Sequence, residues 1–103
     1  MNEGDMVCFN MYNGGVMIGK YHSLGSEEYI GLISPRVIQI GQTRPQSNDV
    51  MMTVLPLIGT PEQIEVPRKD IFLIYKLNDS KLIGAYIKAT TGISLADANG
   101  MFN

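Results

Sequence analysis

Val7-Cys8-Phe9-Asn10-Met11-Tyr12-Asn13-Gly14-Gly15-Val16-Met17-Ile18-Gly19-Lys20-Tyr21-His22 holds two alternating runs separated by a polar turn. In the first run Val7, Phe9 and Met11 alternate with Cys8, Asn10 and Tyr12. In the second, Val16, Ile18, Lys20 and His22 alternate with Met17, Gly19 and Tyr21. Successive side chains of a strand point to opposite faces, so each run reads as a strand. Asn and Gly tolerate positive φ, so Asn13-Gly14 predicts a type I′ hairpin between them.

Downstream, Gly25-Ser26 makes a turn, and the chain reads as strand again over Tyr29–Ile33 and Val37–Ile40. Pro35 interrupts this strand, because proline cannot donate to a ladder and marks an edge, bulge or bend. Residues 41–48 are polar, with Gly and Pro, and read as an exposed loop. Val50–Ile58 is a fourth strand, closed by Gly59-Thr60-Pro61-Glu62, and after it Ile64 and Val66 alternate with acids. Pro67-Arg68-Lys69-Asp70 is a charged turn before a fully apolar fifth strand, Ile71–Tyr75. Then the period changes: Leu82, Ile83, Tyr86 and Ile87 recur at helical spacing. Asn78, Asp79 or Ser80 can cap that helix, and Gly92 can end it. Residues 93–103 have no period and form a tail that Ile93, Leu95 and Phe102 could dock.

The whole chain has 103 residues, the length of one domain. Hydrophobic residues make up 45% and charged residues 17%, a globular balance. The single cysteine, Cys8, excludes an intrachain disulfide and sits in an apolar run, so it reads as a small buried hydrophobe in a reducing cytoplasm. Met1 to Asp5 carries acids rather than a basic, apolar leader, and no apolar run is long enough to span a membrane. The formal charge of −2 argues against tight non-specific nucleic-acid binding, which needs many cations on phosphates.

The first motif, Val7 to Gly19, and a second stretch, Val66-Pro67-Arg68-Lys69-Asp70-Ile71, resemble the two sequence motifs of the Sm-like (LSm) family. The likeness runs over residues 5–77 and is closest to the Sm-like proteins of marine cyanophages. It implies a mostly β fold: a small, five-stranded, strongly bent antiparallel Sm-like barrel over 5–77. A C-terminal helix follows over 79–91, and a tail over 92–103, all within one domain, 1–103. In the family a Gly at the position of Gly19 bends strand two. The sequence departs from the family pattern in two places. Residues 25–29 lack the Asp and Asn of the family's base pocket, and Lys69 replaces a Gly. Only about four residues precede the first strand, so the C-terminal helix is expected to cover the barrel in place of an N-terminal one.

The resemblance also implies a closed homo-oligomeric ring in which strand four of one subunit pairs with strand five of the next. The interface would hold Val50, Met52, Val54, Ile71, Leu73 and Tyr75. Apolar edge strands do invite pairing with another chain; the alternative is that both strands are core within one monomer. On this reading Arg68, Lys69 and Tyr29 gather at the pore and hold single-stranded RNA by base stacking and backbone contacts, without cleaving it. The alternative for Arg68 and Lys69 is a solvated turn paired with Glu65 or Asp70. The alternative function is a structural or host-takeover adaptor ring that binds no nucleic acid, in the cytoplasm of an infected bacterium. No catalytic constellation, metal site or cofactor motif is visible. His22 stands alone, Asn13-Gly14-Gly15 is a hairpin turn rather than a phosphate loop, and Glu27-Glu28 reads as a solvated pair.

Overall fold

The computed structural model describes residues 1–42 and 50–91. The elements are β1 (Met6–Met11), β2 (Val16–His22), β3 (Tyr29–Gln42), β4 (Val50–Pro56), β5 (Gln63–Pro67), β6 (Ile71–Lys76) and α1 (Ser80–Thr91). A single 3-10 turn, Arg68–Asp70, joins β5 to β6. The expected tail and most of the expected 41–48 loop lie outside the described residues.

The β1–β2 hairpin forms where the alternation places it, with Cys8 opposite Ile18 and Phe9 opposite Met17. Its turn is not type I′. Gly14 alone takes a positive φ, 92°. The Gly14 N–H donates to the Met11 carbonyl at 3.0 Å, which closes a turn over Met11–Gly14. Asn13 instead uses its side chain, whose Oδ1 accepts the Gly15 N–H at 2.8 Å.

The strands are antiparallel and run in the order β4-β3-β2-β1-β6, with β5 paired to β3 off this path. That order corrects the expected five-stranded, strongly bent, closed Sm-like barrel. The sheet has six strands and is open: β4 and β6 end the main strand order, and β5, paired to β3 alone among the described residues, is a third edge. The physical reason lies between residues 56 and 63. Gly59 and Thr60 both take positive φ, 82° and 47°, and stop β4 from running on. Residues 63–67 form their own strand against the first half of β3, from Tyr29 opposite Pro67 to Ile33 opposite Gln63. The second half of β3 pairs β4, from Arg36 opposite Pro56 onward. The handover falls at Ser34, whose φ is 50°, just before Pro35. With β5 used in this way, β6 has β1 on one side and no strand on the other among the described residues.

Alternation in β1 sorts the core into two clusters. Val7 and Phe9 are buried with Ile30, Leu32 and Val66, and Ile71 and Ile74 pack against them. Cys8 lies in the other cluster, with Ile18, Leu77 and Tyr86. Helix α1 covers that second cluster through Tyr86, Leu82 and Ile83. Asp79 is its cap: the Leu82 N–H donates to Asp79 Oδ1 at 3.0 Å.

Gly19 sits at a register shift between Ile18 and Lys20, where β2 meets β3. A Cβ there would come within 2.7 Å of Leu32 Cγ and 2.9 Å of the Ile33 carbonyl oxygen. The carbonyl belongs to the backbone and cannot rotate away. Gly19→Ala is therefore expected to cost about 1–3 kcal/mol by overpacking, read as a lower urea midpoint with an unchanged slope. A midpoint equal to wild type would show that the β2–β3 contact is looser than this spacing.

Candidate protein-interaction edge

Tyr29, Arg68 and Lys69 do come together. They line one cleft of about 450 Å³ with Glu27, Glu28 and Pro67. The Arg68 N–H donates to the Glu28 carbonyl at 2.8 Å and ties the two loops. Among the described residues, neither Arg68 nor Lys69 forms an ion pair with Glu65 or Asp70. The cleft still carries as many carboxylates as cations, because Glu27 and Glu28 line it together with the two basic residues. Opposed charges of equal number leave little net attraction for a phosphate chain. The single-stranded RNA scaffold and the adaptor ring both depend on a closed Sm-like barrel, and the open sheet removes that basis for each.

The residues expected at an interface fall into two groups. Val54 is half-buried and packs against the cluster beneath α1, and Ile71 packs against the Phe9 cluster. Met52, Leu73 and Tyr75 are exposed. The side chain of Val50 lies outside the described residues. The sequence reading missed Phe72 and Tyr12. Phe72 is 65% exposed and Tyr12 is 70% exposed, and their rings meet edge to face at 5.5 Å. The ladder explains the exposure of Phe72. The register between β1 and β6 shifts between Asn10 and Met11, which pair with Leu73 and Ile71, so Phe72 has no partner on β1. β6 thus turns Ile71 and Ile74 to the core and shows Phe72, Leu73 and Tyr75 to solvent. Its last residue, Lys76, is the only charge along it.

Elsewhere, His22, Glu3 and Cys8 are each engaged by neighbours. His22 Nδ1 donates to Glu3 Oε2 at 2.8 Å, and the Ser23 N–H donates to Glu3 Oε1 at 2.9 Å. These bonds, the one from His22 first, hold the Glu3 carboxyl below its ordinary range. Burial pushes the Cys8 thiol up, away from the thiolate a nucleophile needs. The Tyr75 hydroxyl is also raised, chiefly by its hydrogen bond with Cys8. Among the described residues no three His, Cys, Asp or Glu side chains gather as a metal set. No helix among them is long and apolar enough to cross a membrane.

No protein-family model matches the chain, and no curated protein matches it; together with the open sheet, this withdraws the Sm-like resemblance.

Proposed function

We propose that this chain is a non-enzymatic binding domain that associates with copies of itself by strand addition at the β6 edge. The observation that carries the reading is β6 itself. It is a six-residue strand, paired on one side only among the described residues, with three large apolar side chains exposed. Natural edge strands are usually blunted by charge, proline or cover, and an unblunted apolar edge is a template for another strand. Of the two other strands paired on one side only among the described residues, β5 carries Glu65 and ends in Pro67, whereas β4 supplies a partner of matching kind. β4 has seven residues, is paired only to β3 among the described residues, and exposes Met52. Joining β4 of one copy to β6 of another satisfies both edges and buries apolar surface on each. The buried, free thiol of Cys8 supports a reducing cytoplasmic setting for such a domain.

Light scattering on a size-exclusion column tests this. Wild type is expected as a multiple of the 11.4 kDa chain mass. Leu73 is 49% exposed, so Leu73→Lys leaves the fold intact while placing a charge on the edge. That variant is expected to associate at least about tenfold more weakly, with an unchanged far-ultraviolet spectrum. A wild type that stays monomeric as its concentration is raised overturns the proposal.

A further inference from the structure

Ile58 is the most exposed apolar side chain among the described residues; its solvent exposure is complete. The turn that carries it is well fixed. The Thr60 N–H donates to the Leu57 carbonyl at 2.9 Å, closing a turn over residues 57–60. Gly59 and Thr60 hold φ values of 82° and 47°. The left-handed region is unfavourable for a β-branched residue such as Thr. Backbone of this kind persists where the surroundings impose it, and it concentrates at sites of function. Here its effect is to stop β4 and hold an isoleucine at the tip of a tight turn, clear of its own core.

The same chain carries a hollow suited to such a side chain. Beside the open edge of β6 lies a cavity of about 200 Å³ lined by Ile30, Arg68, Ile71, Phe72, Leu73 and Ile74. Four of these six are branched aliphatics, and the space is of the order of one aliphatic side chain. It opens because β6 has no second strand to cover the Ile71 and Ile74 side of the core.

We propose that Ile58 of one copy is a knob that seats in the Ile30–Ile71–Ile74 hollow of a second copy. This rests on the self-association by strand addition proposed above, and it names the contact that fixes the register. Chain direction makes the two ends meet. The sheet is antiparallel throughout, and an added β4 that continues this pattern runs antiparallel to β6. The end of β4, Pro56, then lies by the start of β6, Ile71. Ile58 follows just beyond Pro56, on the side where Arg68, Ile71 and Phe72 line the hollow. Strand pairing alone leaves register loosely specified on an edge of uniform apolar character. One side chain in one pocket removes that freedom, as a buried anchor does at the centre of an interface.

The test uses Ile58→Asp, Leu73→Lys and a pair of cysteine variants, all on the full chain. Ile58 touches no core, so Ile58→Asp keeps the wild-type far-ultraviolet spectrum. It is expected to weaken association at least about 100-fold, from lost burial of one aliphatic side chain and the cost of placing a carboxylate there. Mixing Ile58→Cys with Phe72→Cys under mild oxidation is expected to give a disulfide between copies, which neither variant gives alone. An oligomer that survives Ile58→Asp but is lost in Leu73→Lys overturns the knob and leaves the strand pairing standing. A mixed oligomer of the two cysteine variants that forms no such crosslink places Ile58 elsewhere and also overturns it. A wild type that is monomeric overturns both readings.

Discussion

Replacing Tyr86 with alanine is expected to cost about 3–5 kcal/mol, against a total stability on the order of 5–15 kcal/mol for a domain of this size. Tyr86 is 1% exposed and is the largest side chain in the cluster under α1, where it packs with Cys8, Ile18 and Leu77. It also carries a polar duty. Its hydroxyl donates to the Ser34 carbonyl at 2.8 Å, with the Ile33 carbonyl at 3.4 Å. Those carbonyls sit where β3 passes from β5 to β4 and where Ser34 takes its positive φ. The helix is thus fastened to the handover point of the longest strand. Tyr86→Phe separates the two contributions: it keeps the ring and leaves the carbonyl short of a donor, at about 1–3 kcal/mol.

Alkaline titration adds a second reading of the same residue. Burial pushes the Tyr86 hydroxyl above its ordinary value near 10. The folded state therefore holds this proton more tightly than the unfolded chain does. Its contribution is complete below the unfolded value and is lost as pH rises through the folded one. Wild type should lose stability in that alkaline window, and Tyr86→Phe should lose less there. Equal alkaline slopes for the two proteins would count against the buried hydroxyl.

The elements that were legible in the sequence are those whose signal is local. Period-2 alternation around Asn13-Gly14 marks the β1–β2 hairpin, and helical spacing from Leu82 to Ile87 marks α1, whose cap the structure narrows from Asn78, Asp79 or Ser80 to Asp79. What the sequence hid depends on partners. Gln63–Pro67 is only five residues, carries Glu65 and ends in proline, so the alternation of Ile64 and Val66 is too short to mark a strand by itself; its pairing with Tyr29–Ile33 makes it one. The positive φ of Ser34 is not written in a serine. It is imposed by the Glu62 carbonyl, which accepts the Ser34 N–H at 2.7 Å, and by Tyr86, 52 residues away. The barrel expectation failed for the same reason. Apolar runs show that strands exist, but which edges remain free follows from pairings far apart in the chain. At the cleft, only the Sm-like resemblance, and no local signal, groups Tyr29 with Arg68 and Lys69, while Glu27 and Glu28 beside them read only as a solvated turn. Phe72 was hidden because a register shift has no local sequence mark.

Truncating Phe9 to alanine should be as damaging as the loss of Tyr86, and it reaches the edge proposed for self-association from beneath. Phe9 has no solvent exposure and lies opposite Ile74 in the β1–β6 ladder. Its cluster is the platform on which Ile71 and Ile74 rest. Removing the ring leaves a cavity that Val7, Leu32 and Val66 can only partly fill, since each is fixed in a paired strand. The expected loss is about 3–5 kcal/mol, measured as a fall in the urea midpoint with its slope unchanged. Phe9→Leu keeps most of the volume and should lose less. The consequence for association follows from the geometry. A cavity under Ile74 frees β6 to sink inward, which turns Leu73 and Phe72 away from a partner strand. In conditions where Phe9→Ala is still folded, its self-association should weaken along with its stability, although Phe9 itself touches no partner. A folded Phe9→Ala that associates as tightly as wild type would show that β6 holds its shape through its ladder with β1 alone.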